Sequence, residues 1–500
     1  MDADRRIAQL EEQIAKQALE LAERDEQIAR LTKSLAERDA DTEKLTKKLA
    51  ELEQKVAALG AATEKTARNS SNSNLPPSSD SPADRAKRAK KKAKSTKKRG
   101  GQPNHRGSCR ALLAADLVDD IIDSFPTHCE ECAQALPETP DVDSTRFQVT
   151  ELPAFEPHTT EYREHSVACP CCRHVTRAER DPRAPSSPFG PRLMSAVALL
   201  TGVYNLSRRK AARLMSDMVG VKISLGAVSA VESRVSEAVA KPVQEAVERV
   251  IKAKVKHTDG TTWYQAGVAL SLWVIATACA TVYKVLANGK KATLSALLFG
   301  DKQRGVLVGD RASALKFWAM ERRQVCWAHL LRKFVSLSER TGAAGRFGRE
   351  LLDFTGIIFE YWHRYRDGTI GREALRKHMR PVREQVEALL ERAVKSGTPH
   401  VAGSCADMLE HRAALWRFVD ERDVEPTNNH AERELRAFVL WRKRSYGSQS
   451  VRGNRFAERL MTVAHTARKQ NKNVLEFLTE CCVAKVDGGE PPSLFESAAA

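Results

Sequence analysis

Between residues 7 and 59 the apolar positions recur with heptad spacing. One seam reads Ile7, Ile14, Leu21, Ile28, Leu35, Thr42, Leu49, Val56; the other reads Leu10, Gln17, Arg24, Leu31, Arg38, Leu45, Leu52, Leu59. Glu, Asp and Lys fill much of the flank. The pattern predicts a coiled coil, with Gln17, Arg24 and Arg38 setting register or partner choice, and through it a homo-oligomer. A single long helix packed on its own protein is the alternative. The pattern then stops. Residues 69–82 are rich in Ser, Asn and Pro, and ten of the fifteen residues from Arg85 to Arg99 are Lys or Arg, too charged to bury a core.

Helical periodicity resumes over 190–240. Ser207 and Ser224 stand as N-caps on either side of a Gly220 break, which reads as helix-turn-helix-like. Leu225, Val228, Val231 and Val235 would face the core, leaving Lys222, Ser229 and Arg234 to reach DNA. An ordinary helical connector is the competing reading. From Lys254 to Leu286 the period changes to two: Val268, Leu270, Leu272 and Val274 alternate after an Ala266-Gly267 turn. Although Gly260–Tyr283 carries no formal charge and is long enough for a bilayer, this alternation fits buried strands better than a membrane span. Gln324–His329 reads as a further short strand, and about 330–420 as a helical insertion.

Composition sharpens this outline. Lys and Arg number 81 against 64 Asp and Glu, a net charge of +17, which favours a polyanionic partner. The run of Lys90, Lys91, Lys92, Lys97, Lys98 and Arg99 would bind DNA phosphates without reading sequence. The charged start is not a secretory signal. Eleven cysteines are present, unevenly spaced, with Cys129-x2-Cys132 and Cys169-x2-Cys172 separated by 36 residues. That arrangement fits metal-bound thiolates in a reducing, cytoplasmic and nucleoid-associated setting, and a structural zinc ion on Cys129, Cys132, Cys169 and Cys172. Cys171 and His128 compete for places in that set. Cys326 and His329 share Cys-x2-His spacing but lack a second ligand pair in sequence, so a structural role is expected of them.

Three stretches carry the candidate chemistry: His257-Thr-Asp-Gly260, Val308-Gly-Asp-Arg311 and Pro426-Thr-Asn-Asn-His-Ala-Glu-Arg433. Asp259 and Asp310 end β-branched runs, where a strand hands a side chain to a site at the sheet's edge, and Glu432 opens a helix. Three such carboxylates suit two Mg2+ (or Mn2+) ions, which need oxygen ligands and can clamp the attacking and leaving oxygens of a phosphoryl displacement. Each also has a plainer use: Asp259 closing a turn before Gly260, Asp310 capping a helix near Ala312, Glu432 pairing with Arg436. Arg433, Arg436, Arg442 and Arg444 crowd the same segment and suit phosphate contacts on DNA.

These motifs, with the Asn-Ser-Ser…Pro-Pro-Ser-Ser-Asp linker, Gly-Gly-Gln-Pro-Asn-His-Arg-Gly107 and Cys326-Trp-Ala-His-Leu-Leu-Arg-Lys-Phe334, make the chain resemble a transposase of the insertion sequence 66 family. The resemblance implies a ribonuclease-H-like catalytic core with a helical insertion, an N-terminal zinc module, and an Asp-Asp-Glu site at Asp259, Asp310 and Glu432. It implies metal-dependent cleavage at element ends and transfer of the 3′ hydroxyl into target DNA, with accessory transposition proteins as further partners. Two positions depart from the family. Gly260 follows Asp259 where the family usually has Glu, and no aromatic follows Asp310 closely. A DNA-binding regulator without chemistry, or a ribonuclease-H-like nuclease without strand transfer, is the alternative function. The expected fold is multidomain α+β/α/β: coiled coil 1–62; Ser/Pro- and Lys/Arg-rich linker 63–108; zinc module 109–182; helix-turn-helix-like region 183–250; catalytic domain 251–470; C-terminal helix and tail 471–500.

Overall fold

A computed structural model describes residues 3–66, 69–70, 72–73, 80–81, 111–139, 145–182, 184–297 and 304–495. The basic run from Lys90 to Arg99, the Gly100–Gly107 motif and most of the 69–82 linker lie outside them. The chain divides into two units, Met1–Ala89 and Lys90–Ala500.

In the first unit a single helix, α1 (Ala3–Thr66), spans the heptad region. Its seam residues face solvent: Ile7, Ile14, Leu21 and Ile28 are each more than half exposed.

The second unit begins with two Cys knuckles. The second closes a hairpin of β1 (Ser166–Ala168) and β2 (Val175–Arg177), and the first closes a one-bridge equivalent between His128 and Ala135. Helices follow: α2 (Pro191–Ala198), α3 (Arg208–Val219), α4 (Leu225–Ala238) and α5 (Ala240–Lys252). Ser207 and Ser224 cap α3 and α4 by accepting from Lys210 and Ala227, and Gly220 ends α3 in the left-handed conformation. Two expectations for α4 fail. Leu225, in its first turn, is 44% exposed, whereas Val228, Val231 and Val235 are fully buried. Ser229 is engaged within the protein, because Arg452 donates to its hydroxyl and its carbonyl.

A five-stranded sheet follows, made of β3 (Val255–Gln265), β4 (Val268–Ala276), β5 (Thr281–Leu286), β6 (Val306–Gly309) and β7 (Arg323–Val325), with α6 (Lys291–Leu297) between β5 and β6. The spatial order is β5-β4-β3-β6-β7. β3, β4 and β5 form an antiparallel meander, β6 runs parallel to β3, and β7 parallel to β6. Positive φ at Ala266 and Gly267 makes the tight β3–β4 turn.

Helices α7 (Trp327–Ser338), α8 (Gly342–Arg366), α9 (Arg372–Lys395), α10 (Ala402–Glu410), α11 (Arg412–Leu415) and α12 (Arg417–Asp420) form the helical block expected between the second and third carboxylates. The chain then returns to the sheet as α13 (Asn429–Ser445), α14 (Val451–Lys469) and α15 (Val474–Asp487). The expected strand at Gln324–His329 is cut short: β7 ends at Val325 and α7 starts at Trp327, so Cys326 is a helix N-cap.

Strand alternation builds both faces of the sheet. Trp273, Ile275, Val282 and Leu307 join a core with α2, α4, α5, α14 and α15. Helices of the 183–250 region and of the C-terminal segment therefore share one apolar core with the sheet. Leu272, Val274 and Tyr283 face the other way, onto Ala431, Leu435 and Phe438 of α13, while Val306, Val308 and Val325 pack on the helical block.

Candidate active site

Asp259 lies inside β3, not at its end, since the strand runs on to Gln265. Its position is still a sheet edge of a kind. The parallel partner β6 pairs with β3 only up to His257 opposite Val308; past that point side chains of the α13 segment meet β3, Asn428 at Thr258 O and Arg442 at Thr262 O. Asp259 pairs across β4 with Val274, which places it on the α13 face. Asp310, two residues past Val308, emerges from β6 where that ladder ends. Glu432 sits in the first turn of α13.

Asp259 feels the other two carboxylates. Burial, then the charge of Asp310 and, less, that of Glu432, push the Asp259 carboxyl up to about 7, against the opposing N–H of Gly260. The plainer uses are partly realised. One oxygen of Asp259 accepts from Gly260 N–H at 2.8 Å, and one of Asp310 accepts from Ala312 N–H at 2.9 Å. In both cases only Oδ1 is engaged. Glu432 does not pair with Arg436; it meets Arg332 at 3.4 Å and His329 Nδ1 at 3.6 Å.

The 426–433 motif stitches the site together. Trp327 N–H donates to Pro426 O, Asn428 N–H donates to the Cys326 sulfur at 3.1 Å, and the Asn428 amide donates to Thr258 O. Cys326 N–H in turn donates to Gly309 O. One short segment thus ties β3, β6, α7 and α13 next to all three carboxylates. Asn428 and Arg332 were not singled out from sequence; the only sign of them was their place in the Pro426–Arg433 and Cys326–Phe334 motifs.

Gly260 has a physical reason. It pairs directly across the sheet with Trp273, and a Cβ there would lie 2.8 Å from the indole. The ring fills the space that a larger residue would need, so the departure from Asp-Glu-Thr is matched by a cross-strand aromatic.

A second polar cluster lies on another side of α13. Glu434 accepts from Lys469 at 3.0 Å and from His465, and Tyr283 donates to the Glu434 carbonyl at 2.9 Å. Burial would raise the Glu434 carboxyl, but hydrogen bonds from His430 and His465 and the charge of Lys469 hold it far below the usual carboxylate range. Nearby, burial lowers the His257 imidazole to about 3, so it is neutral.

Among the basic residues expected to meet DNA, Arg433, Arg436 and Arg444 are exposed on α13. Arg442 instead lays its guanidinium on β3, donating to Thr261 Oγ1 at 3.0 Å and to Thr262 O.

The two knuckles share one geometry. Cys129 N–H donates to Gln134 O and Cys169 N–H to His174 O, with Ala133 and Arg173 both at positive φ. Backbone N–H groups of Cys132 and Glu131 lower the Cys129 thiol, and those of Cys172 and Cys171 lower the Cys169 thiol. Cys171 therefore occupies the place of Glu131, and Cys172 matches Cys132. The sole group of three or more metal-ligating atoms within 4.8 Å of one another, among the described residues, is Cys326, His329 and Glu432. Neither the four knuckle thiols nor the three carboxylates form so tight a set.

The fold is that of a mixed α/β protein, with a mixed five-stranded sheet covered by helices on both faces. The transposase IS66 family matches residues 186–455, more than half of the chain and all three carboxylate positions; the chain belongs to that family. Residues 5–111 match a family of unknown function, DUF6444. The uncharacterized protein y4qI of Sinorhizobium fredii (strain NBRC 101917 / NGR234) is 28% identical over 180 residues, 34% of this chain and 32% of that protein. The chain thus spans about a third of that relative's length. No helix among the described residues is long and apolar enough to cross a membrane.

Proposed function

We propose that this IS66-family transposase cleaves DNA at element ends and joins the freed 3′ hydroxyl to a target strand at one Asp-Asp-Glu site. The observation that carries this reading is placement: Asp259 lies on the α13 face of β3 just past the end of the β6 ladder, Asp310 leaves β6 at that end, and Glu432 sits in the first turn of α13, across 173 positions of chain. Buried like charges are costly unless a cation neutralises them. The donor set is all carboxylate oxygen, with Oδ2 of both aspartates outside the local turns, and this fits Mg2+ or Mn2+ held by Asp259, Asp310 and Glu432. When bound, such ions polarise the phosphodiester and lower the pKa of the attacking water. Asp259 and Asp310 hold position through their backbone hydrogen bonds, and α13 presents Glu432 along with exposed Arg433 and Arg436, which suit the strand's phosphates. In strand transfer, attack by the 3′ hydroxyl oxygen forms one P–O bond as the target-strand P–O bond breaks, and no covalent enzyme intermediate is required.

The sheet order and the parallel addition of β6 and β7 to an antiparallel meander support a ribonuclease-H-like core. The matched knuckles support a structural zinc on Cys129, Cys132, Cys169 and Cys172, binding of which would draw the two turns together. The exposed seams of α1 support a coiled-coil homo-oligomer, which would hold two DNA ends at once. Incubation with candidate element ends and magnesium, followed by mapping of breaks and joints, tests the central claim. End cleavage and joints that persist in Asp259→Asn would refute it, and breaks without joints would point to a nuclease.

A further inference from the structure

We propose that Cys326, His329 and Glu432 form a second divalent-metal site, of zinc-class chemistry, which shares Glu432 with the carboxylate centre. The binding half of this inference stands on these residues alone. Its consequence for cleavage rests on the role of Glu432 proposed above.

The three ligand atoms lie within 4.8 Å of one another although they come from two helices a hundred residues apart. Cys326 caps α7 and His329 follows at i+3, so both point to one side of its first turn. Glu432 faces them from the first turn of α13. The scaffold is fixed from several directions by the Cys326–Gly309, Trp327–Pro426 and Asn428–Cys326 hydrogen bonds.

The pocket also holds an unsatisfied group. His329 Nδ1 is buried with no hydrogen-bond partner, since Glu432 Oε1 at 3.6 Å is too far to serve as one. Buried ring nitrogens without partners are uncommon in native proteins and need an explanation. Cys326 is fully buried, and its sulfur accepts from Asn428 N–H at 3.1 Å.

The donor chemistry selects the ion. Thiolate, imidazole and carboxylate together are the ligands of zinc and its borderline neighbours, with a fourth position left open. Magnesium, which takes oxygen ligands, has no use for the sulfur or the ring. Loading is balanced by one proton: the ion replaces the hydrogen of the Cys326 thiol, which leaves to solvent. Arg332 is the cation that meets Glu432, through long 3.4 Å contacts to both carboxylate oxygens. An ion at Cys326 and His329 takes over that role. Glu432 so engaged is withdrawn from Asp259 and Asp310, and zinc therefore opposes magnesium.

Cobalt(II) titration of the full chain tests the site, because thiolate ligation to cobalt is visible in absorption. The knuckle cysteines also take cobalt, so the readout is a difference. Wild type should bind about one more cobalt ion per chain than Cys326→Ser or His329→Gln, and Cys326→Ser should lose part of the thiolate-to-cobalt band. Equal uptake and identical spectra would overturn the site. Since Cys326 is fully buried, the partly exposed His329→Gln, checked for folding by circular dichroism, keeps the test decisive. In magnesium-supported cleavage, His329→Gln should need roughly tenfold more zinc for half inhibition; equal sensitivity would overturn the competition. A chain that takes the extra cobalt yet never cleaves DNA keeps this site and refutes strand transfer. One that cleaves but shows no difference in cobalt refutes only this site.

Discussion

Glu432 and Glu434 stand two residues apart on one helix and live in opposite circumstances. Glu434 is compensated on every side, by Lys469, His465 and His430, with Tyr283 anchored beside it. Glu432 has two long contacts and shares its surroundings with two aspartates and a thiol. A carboxylate whose charge is fully answered by the protein locks structure in place. One whose charge is left partly unanswered, next to others of the same sign, is equipped to receive a cation. The contrast is why Glu432, and not Glu434, is the residue proposed as a metal ligand.

The largest effect should come from the under-compensated side. Asp259→Asn or Glu432→Gln should lower end cleavage in magnesium by more than the roughly 100-fold typical of losing an outer-shell partner, with DNA binding in a gel-shift assay largely kept. A similar loss of cleavage from Glu434→Gln with unchanged stability would erase the distinction. That variant should instead lower unfolding free energy by about 3 kcal/mol at neutral pH, as expected when one partner of a buried ion cluster is removed. Because the folded Glu434 carboxyl lies below its ordinary value of 4.5, its stabilisation is present above that value and is lost as pH falls below it. The gap between wild type and variant in urea melts should therefore close on acidification. Gly260→Ala should cost about 2 kcal/mol by crowding Trp273, read by thermal melting. Smallest of all, Arg332→Gln should change stability by about 1 kcal/mol or less, since its contact with Glu432 is long. A larger loss would mean that Glu432 is better compensated than its distances imply.

Much of this was legible in the sequence because it depends on local pattern. Heptads gave α1, period-two alternation gave β4, and the serine caps gave α3 and α4. The three carboxylates were legible as motif ends, but their convergence was not, because it depends on the return of α13 across the sheet. Asp259 was expected at a strand's end; it lies inside β3 instead, just past the point where the shorter β6 stops, a tertiary fact. Cys326 was expected in a strand and proved to be a helix cap, since β7 stops at Val325 and Trp327 opens α7. The pairing of Gly260 with Trp273 depends on cross-strand register, which composition does not encode. Glu432 as a third ligand for Cys326 and His329 was out of reach for the same reason: 103 positions separate it from His329.

The long helical block between β7 and α13 has a consequence for synthesis. A polypeptide still emerging from the ribosome, or ended early by a nonsense codon within α8 or α9, already owns both aspartates but not the glutamate. Such fragments also lack α13, α14 and α15, the helices that cover both faces of the sheet, so the third carboxylate and the packed sheet are completed together, last of all.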